Sequence, residues 1–307
     1  MADSSLAAIY VSYNTRDLLR ASLRSLFDSL SRYGPDQAEV WVVDNASGDG
    51  STAMVAEEFP AVRLIANADN RGFGAANNQA IGASQGDHLL LLNPDTIVEA
   101  DAPARLSGFL AEHPEAAVIG PALVSPDGSF QHSAFRFPNL AMGFIEFFPL
   151  NHRLLDARLN GRYPRSHYRQ PFQVDHPLGA CLLLGRTAVE QVGLFDESFF
   201  MYYEEVDLCL RLRRAGWQAW CLPQARVVHY GGQSTGQVAP EMFRQLHSNK
   251  LRLFRKHYSP ATCLVARWIL RLGAWRRRLE LRSQERAGAA PADLASWDET
   301  YRALLRL

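Results

Sequence analysis

Apolar runs and helical periodicities alternate over the first 120 residues. The stretch from Leu6 to Ser12 is a continuous apolar run and predicts a buried strand. Leu19, Leu23, Leu26, Phe27 and Leu30 then recur at helical spacing, with Asn14 or Thr15 as cap and Gly34-Pro35 as the end. Residues 40–43 and 62–65 predict a second and a third strand, residues 73–83 a helix of small residues, and residues 88–92 a fourth strand. Strands separated by helices imply parallel pairing through right-handed crossovers. In such sheets ligands bind beyond the carboxyl ends of the strands. Four polar clusters follow the four strands: Ser12-Tyr13-Asn14, residues 44–51, residues 67–74 and Asn93-Pro94-Asp95. Four such clusters on one sheet edge predict a site for a polar ligand.

Beyond residue 120 the pattern changes. Residues 121–173 are rich in Phe, Pro, Arg and His and poorly periodic. Residues 174–185 read as one more strand, Glu204 to Arg214 as a helix ending near Gly216, and residues 217–222 and 226–230 as short strands. The last 65 residues read as helical and arginine-rich.

Composition narrows the class. The 307 residues are 47% apolar and 21% charged, with 32 basic and 32 acidic side chains, which excludes a wholly disordered chain and a histone-like nucleic-acid binder. The balance is uneven along the chain. Residues 241–286 hold 12 Lys and Arg against 3 Asp and Glu, and residues 287–307 hold 2 against 3, so the first 240 carry a net −8. A basic tail on an acidic body marks a boundary and argues against nucleic acid as partner. No run approaches the roughly 20 apolar residues of a membrane span, and the start lacks the basic and apolar regions of a signal peptide. Cys181, Cys209, Cys221 and Cys263 have no CxxC spacing and read as reduced core thiols of a cytosolic protein.

Several clusters carry chemistry, each with a plainer alternative. Asp44 can accept hydrogen bonds from a base or ribose, or build an Asx turn with Asn45. Asn70, Arg71, Gly72 and Gly74 open a helix with backbone amides and a fixed charge, which suits a diphosphate. A dinucleotide fingerprint does not fit, because Asn77 stands where a third small residue is needed and the motif follows the third strand. Asp95 can hold a hard divalent cation or end a turn. Glu204, Glu205 and Asp207 crowd the first turn of a helix after an aromatic run; mutual repulsion and low dielectric raise a carboxylate's pKa and suit a general base, while the dipole alone also favours acids there. His229 ends a strand beside a glycine pair, as a metal ligand or a structural hydrogen-bonding group.

Taken in order, residues 11–15, 43–51, 70–74, 92–96, 179–181, 200–208 and His229 resemble family 2 inverting glycosyltransferases of the GT-A fold, most closely the rhamnosyltransferase-like branch. The resemblance covers about residues 6–235. It implies an α/β fold with a Rossmann-like, mostly parallel central sheet flanked by helices, spanning residues 1–238. Residues 1–120 would bind the nucleotide-sugar, residues 121–238 would supply the acceptor side and base, and residues 239–307 would form a basic helical extension. It implies that Ser12, Tyr13, Asn14, Asp44, Asn45, Asn70, Arg71, Gly72, Gly74, Asn77, Asn93 and Asp95 surround the donor. Gly179, Ala180 and Glu204 would lie on the acceptor side, and Asp95 and His229 would hold Mg²⁺ or Mn²⁺. Glu205 matches the catalytic base, with Asp207 in reserve. Two departures stand out: the metal motif is Asn-Pro-Asp, with one carboxylate, and the base is Glu rather than Asp.

The implied enzyme is a hexosyltransferase. It would move a sugar, rhamnose from dTDP-rhamnose as first choice, to a glycan or lipid-linked glycan acceptor in cell-surface polysaccharide biosynthesis, by metal-assisted single displacement. A UDP-sugar donor and a catalytically impaired nucleotide-sugar-binding assembly partner stay open as alternatives, as does oligomerisation. Phe144, Phe147, Phe148 and Leu150 suit a sugar ring or lipid, or an ordinary packed insertion. Tryptophan, leucine and arginine interleave over residues 268–279, which fits an interfacial helix on the inner face of the cell membrane, or a helix packed on the domain.

Overall fold

The computed structural model describes residues 4–33, 37–148, 158–231, 239–288 and 294–307. Gly34-Pro35, Leu150 and the first three residues, which the helix end, aromatic cluster and leader readings involve, lie outside them. The first half runs β1 (Leu6–Ser12), α1 (Arg16–Tyr33), β2 (Ala38–Asp44), α2 (Ser51–Glu58), β3 (Arg63–Ala66), α3 (Phe73–Ala83) and β4 (His88–Leu92). β5 (Thr96–Val98), α4 (Ala102–Glu112), β6 (Ala116–Val124), β7 (Phe130–Gln131), β8 (Ala134–Phe135) and α5 (Leu140–Phe147) follow. The rest is β9 (Phe172–Val174), β10 (His176–Pro177), β11 (Cys181–Gly185), α6 (Arg186–Val192), α7 (Glu204–Arg214), β12 (Gln218–His229), α8 (Ala239–His257), α9 (Pro260–Arg286) and α10 (Leu294–Arg306).

The main sheet has the order β3-β2-β1-β4-β11-β6-β12-β5, with β7 on β6 and β9 on β12. β3, β2, β1 and β4 are mutually parallel, as are β6 and β12; β11 is antiparallel to both its neighbours. β1 and β4 are covered on both faces, which is why they read as continuous apolar runs. Leu19, Leu23, Leu26 and Leu30 form the stripe that packs α1 into this core. α2 escapes the periodicity because its eight residues bury only Ser51, Met54 and Val55.

Two strand readings are corrected. Residues 174–185 are not one strand: β9 pairs with β12, β10 with β8 in a separate two-stranded sheet, and β11 with β4. Pro177 has no N–H for a ladder and interrupts the run. Conversely, residues 217–230 hold one strand, β12, whose register with β6 shifts between Leu222 and Arg226, around Pro223.

The chain forms two compact units. One comprises Met1–Arg136, Tyr163–Phe200 and Glu204–Ser234; the other comprises Phe137–Arg162, Met201–Tyr203 and Thr235–Leu307. The second unit thus takes in α5 and a three-residue turn as well as the C-terminal helices. Phe147, Leu251, Leu270, Ala274, Leu281, Tyr301 and Leu304 are its core. Phe147 is therefore a packing residue rather than a ligand contact, and Phe144 stacks on Phe148 with centroids 4.9 Å apart. Cys181, Cys209 and Cys221 are buried free thiols, and Cys263 is half-buried.

Candidate active site

Parallel β3, β2, β1 and β4 deliver all four polar clusters to one sheet edge. The loops are stitched together there. Asn14, left-handed at φ 52°, receives Gly48 N–H on Oδ1 at 2.8 Å and donates its own N–H to Ser47 Oγ at 2.9 Å. Arg16 N–H donates to Asp49 Oδ2 at 2.8 Å. The side chain capping α1 thus comes from the loop after β2, while Thr15 serves through its carbonyl, which accepts from Leu19 N–H. Asp44 is buried: Oδ2 accepts from Ser47 N–H at 2.8 Å in an Asx turn, and Oδ1 has no protein partner. A buried carboxylate oxygen left open at a strand end is a ligand-directed acceptor. The Asx-turn reading of Asp44 therefore holds on one oxygen, and the other is left open.

Other expected donor contacts are engaged elsewhere. Ser12 is fully buried with Oγ 3.0 Å from Thr15 Oγ1. Asn45 donates to Gly72 C=O at 3.2 Å and accepts from Asn67, which also pairs with Gln79. Asn77 donates to Phe73 C=O one turn back in its own helix. Asn70 Oδ1 accepts from Gly72 N–H at 3.0 Å. These side chains shape the loops rather than face a ligand. Tyr13 and Arg71 are exposed on the same edge. Gly72, at φ 81° and ψ 174°, occupies a conformation open only to glycine, with Phe200 C=O where a Cβ would stand. Gly74 is the second residue of α3, and a Cβ there would stand 3.2 Å from Phe195 Cβ.

Asp95 and His229 meet although 134 residues separate them. The pairing of β12 with β5 sets His229 opposite Thr96, and Tyr230 N–H donates to Asp95 C=O at 2.9 Å. His229 Nε2 lies 3.5 Å from Asp95 Oδ1, and both side chains are largely buried. His229 Nδ1 is 2.8 Å from Gln131 Oε1, which can only accept, so the proton sits on Nδ1. Burial lowers the pKa of this histidine, while Asp95 opposes the shift. A neutral ring then turns the Nε2 lone pair toward a carboxylate oxygen. Two acceptors facing each other across 3.5 Å fit a divalent cation between them, with Gln131 orienting the ring. No group of three or more His, Cys, Asp or Glu side chains with metal-site geometry occurs among the described residues, so substrate oxygens or water would complete the coordination. Asn93 N–H donates to Ala180 C=O at 2.9 Å, which ties the Asn-Pro-Asp turn to the strand after Gly179.

α7 separates the three acids by environment. Glu204 is buried, Oε2 has no hydrogen-bond partner, and burial followed by the charge of Glu205 raises its pKa well above the usual carboxylate range. Asp207 is fully buried and paired with Arg211 at 2.8 Å; Arg211 also donates to the carbonyls of Val192, Gly193 and Leu194. Asp207 thus anchors α6 to α7, a structural duty at odds with a reserve base. Glu205 alone is half-exposed, and its carboxyl group lies 3.7 to 3.8 Å from where a Cβ on Gly179 would stand. The structure therefore unites Glu205 with Gly179, while Ala180 takes part through its backbone. Sequence reading missed Gln131 and Arg211, and it placed Asp49 and Asn67 in the polar clusters without giving either a role. The i,i+4 spacing of Asp207 and Arg211 was the one available signal, since the other partners are distant in sequence.

Comparison with known proteins agrees with this arrangement. The family model for Glycosyl transferase family 2 matches residues 8–192. An N-acetylglucosaminyl-diphospho-decaprenol L-rhamnosyltransferase of Mycobacterium tuberculosis is 32% identical over 303 residues, covering 92% of this chain and 94% of that protein. Rhamnosyltransferase WbbL of Escherichia coli is 28% identical over 182 residues, 56% of this chain and 66% of that one. Among solved structures, the mannosyltransferase PcManGT from Pyrobaculum calidifontis, in complex with GDP-Man and Mn²⁺, superposes with a TM-score of 0.59 at 17% identity, covering 98% of this chain and 85% of its own. With a GT-A sheet, four polar loops on one edge and this match over most of its length, the chain belongs to glycosyltransferase family 2.

Proposed function

We propose that this glycosyltransferase moves rhamnose from dTDP-rhamnose to a polyprenyl-diphosphate-linked N-acetylglucosamine at the cytoplasmic face of the membrane. Its likeness over 92% of its length to a relative named for that acceptor and sugar supports the substrate class. The observation that carries the chemistry is Glu205, the one half-exposed carboxylate of α7, set against Gly179.

Asp44 Oδ1 accepts from the nucleoside, and Arg71 offsets charge on the diphosphate. Asp95 and His229 would hold a divalent cation, which supplies charge neutralisation for the departing nucleoside diphosphate. Glu205 takes the proton of the acceptor hydroxyl as its oxygen attacks the anomeric carbon. The bond from that carbon to the phosphate oxygen breaks in the same step, the configuration inverts, and no covalent enzyme intermediate forms. Burial, then the charge of Glu205, raises the Glu204 pKa well above the usual carboxylate range and favours its neutral form beside the half-exposed Glu205.

The test pairs calorimetry with turnover. Glu205→Gln should keep donor affinity and lose about 10²- to 10⁴-fold in kcat, whereas Glu204→Gln, which copies a neutral acid, should keep its stability. Turnover retained in Glu205→Gln overturns the assignment. A folded wild type that binds dTDP-rhamnose in a metal-dependent way without turnover would favour the assembly-partner reading, and tighter UDP binding would favour a UDP-sugar donor. Asn93-Pro94-Asp95, with its single carboxylate, is the observation that keeps the assembly-partner reading in view.

A further inference from the structure

α9 has two apolar faces and buries only one. Leu270, Gly273, Ala274 and Leu281 face the core of the second unit. On the opposite side Leu264, Val265, Trp268, Leu272, Trp275 and Leu279 are 44 to 57% exposed. At about 100° per residue these six fall within an arc of roughly 100°, centred opposite the buried residues. The stripe runs about 22 Å along the helix. A contiguous apolar surface of this size marks an interaction site.

We propose that this stripe docks on the surface of an anionic lipid bilayer. Charge selects that occupant. α9 carries seven arginines and two glutamates. By helical position Arg267 and Arg271 border one side of the stripe, Arg276 the other, and Arg282 and Arg286 continue it. The Arg271 guanidinium lies 5.8 Å from the Trp268 ring centroid. At the N-terminal end, a groove of about 370 Å³ between α8 and α9 has Arg255 and Arg267 on its walls, a seat for a phosphate headgroup. Tryptophan within an arginine rim is the composition of an interfacial helix. A second copy suits the stripe poorly, because two-fold self-association would set one arginine rim against another. No helix of the described residues is long and apolar enough to cross a membrane, which leaves α9 to lie on the surface. The inference rests on α9 and the end of α8 and stands apart from the donor and acceptor assignment.

The test uses the full chain without sugar substrates. It is sedimented with phosphatidylcholine vesicles and with vesicles doped with phosphatidylglycerol, while tryptophan emission is followed. Binding should require the anionic lipid, weaken with added salt, and shift tryptophan emission to the blue. Trp268→Ser with Trp275→Ser should lower partitioning at least about tenfold and leave the circular dichroism spectrum and melting temperature unchanged. Both side chains are exposed, so folding should survive; if the pair does not fold, Leu272→Ser with Leu279→Ser is the substitute. No binding by the wild type, undiminished binding by a folded variant, or lipid-free self-association that the variant abolishes would each overturn the proposal.

Discussion

A single methyl group on Gly72 would stand 2.3 Å from Phe200 C=O, at a φ of 81° that other residues rarely adopt. Phe73 N–H donates to that same carbonyl at 2.9 Å, so the backbone cannot move away without losing the bond that seats α3. Gly72→Ala should therefore destabilise by at least about 2 kcal/mol in urea unfolding and weaken donor binding with it. Asp44 and Glu204 show the same dependence on single atoms. Asp44 has one oxygen pinned by Ser47 and one left open, and Glu204 differs from Glu205 by one position and by its burial. Sequence singled out Asp44 and Glu205, and they stand at the end of β2 and in the first turn of α7. It also named Ser12, Asn45 and Asn77, whose hydrogen bonds are spent inside the fold. Residue type and position are local facts, but which atoms stay free depends on neighbours that folding brings.

Elements carry a second layer. Asp207 and Arg211 sit one turn apart on α7, where such pairs meet. The pair is buried on the Asp207 side, and Arg211 also holds the chain leaving α6. Arg211→Ala strands a buried charge and removes the donor from three carbonyls, so a loss of about 3 to 5 kcal/mol is expected in denaturant unfolding, against a smaller loss for Asp207→Asn. α8 plays a matching part within the second unit. Asn249 Nδ2 donates to Met201 C=O at 2.8 Å and to Tyr202 C=O at 3.4 Å, and Tyr202 and Tyr203 are both left-handed. Several element bounds were legible: α3, β4 and α7 fall where the sequence pattern places them. β9 to β12 were not, because an apolar run with a proline in it reads alike whether it pairs once, twice or with separate sheets.

At the scale of the molecule, each unit contains a buried histidine. His176 and His247 are lowered to about 4 from 6.5, chiefly by burial. Pro177 C=O, Asp175 and the backbone at Arg136 favour the charged form of His176; around His247, Glu146 favours it and Lys250 opposes it. Each group binds its proton more readily unfolded than folded. The unfolded state therefore gains protons first as pH falls, and stability is full above about 6.5 and declines toward 4, by up to about 3 kcal/mol for each histidine. Melting curves between pH 7 and 4 should show this decline, and His247→Gln should remove the share that His247 contributes. In the half-buried Glu146–Lys250 ion pair, Lys250 is raised and Glu146 lowered relative to ordinary values, so each partner favours the charged form of the other.

The order of the four strands along the first 92 residues, and with it the gathering of four polar clusters on one edge, was determined by the sequence alone, although α2 between the second and third strands was not. Parallel strands joined by right-handed crossovers must end on the same side, so local periodicity suffices for that conclusion. Tertiary structure decided the remainder. Gln131 orients His229 from 98 residues away, Asp49 caps a helix that begins 33 residues earlier, and Arg211 claims Asp207. It also decided which of two apolar faces of α9 is covered. Periodicity records that a face is apolar. Only packing determines whether protein or something outside it meets that face, because burial and hydrogen-bond satisfaction depend on contacts between segments distant along the chain.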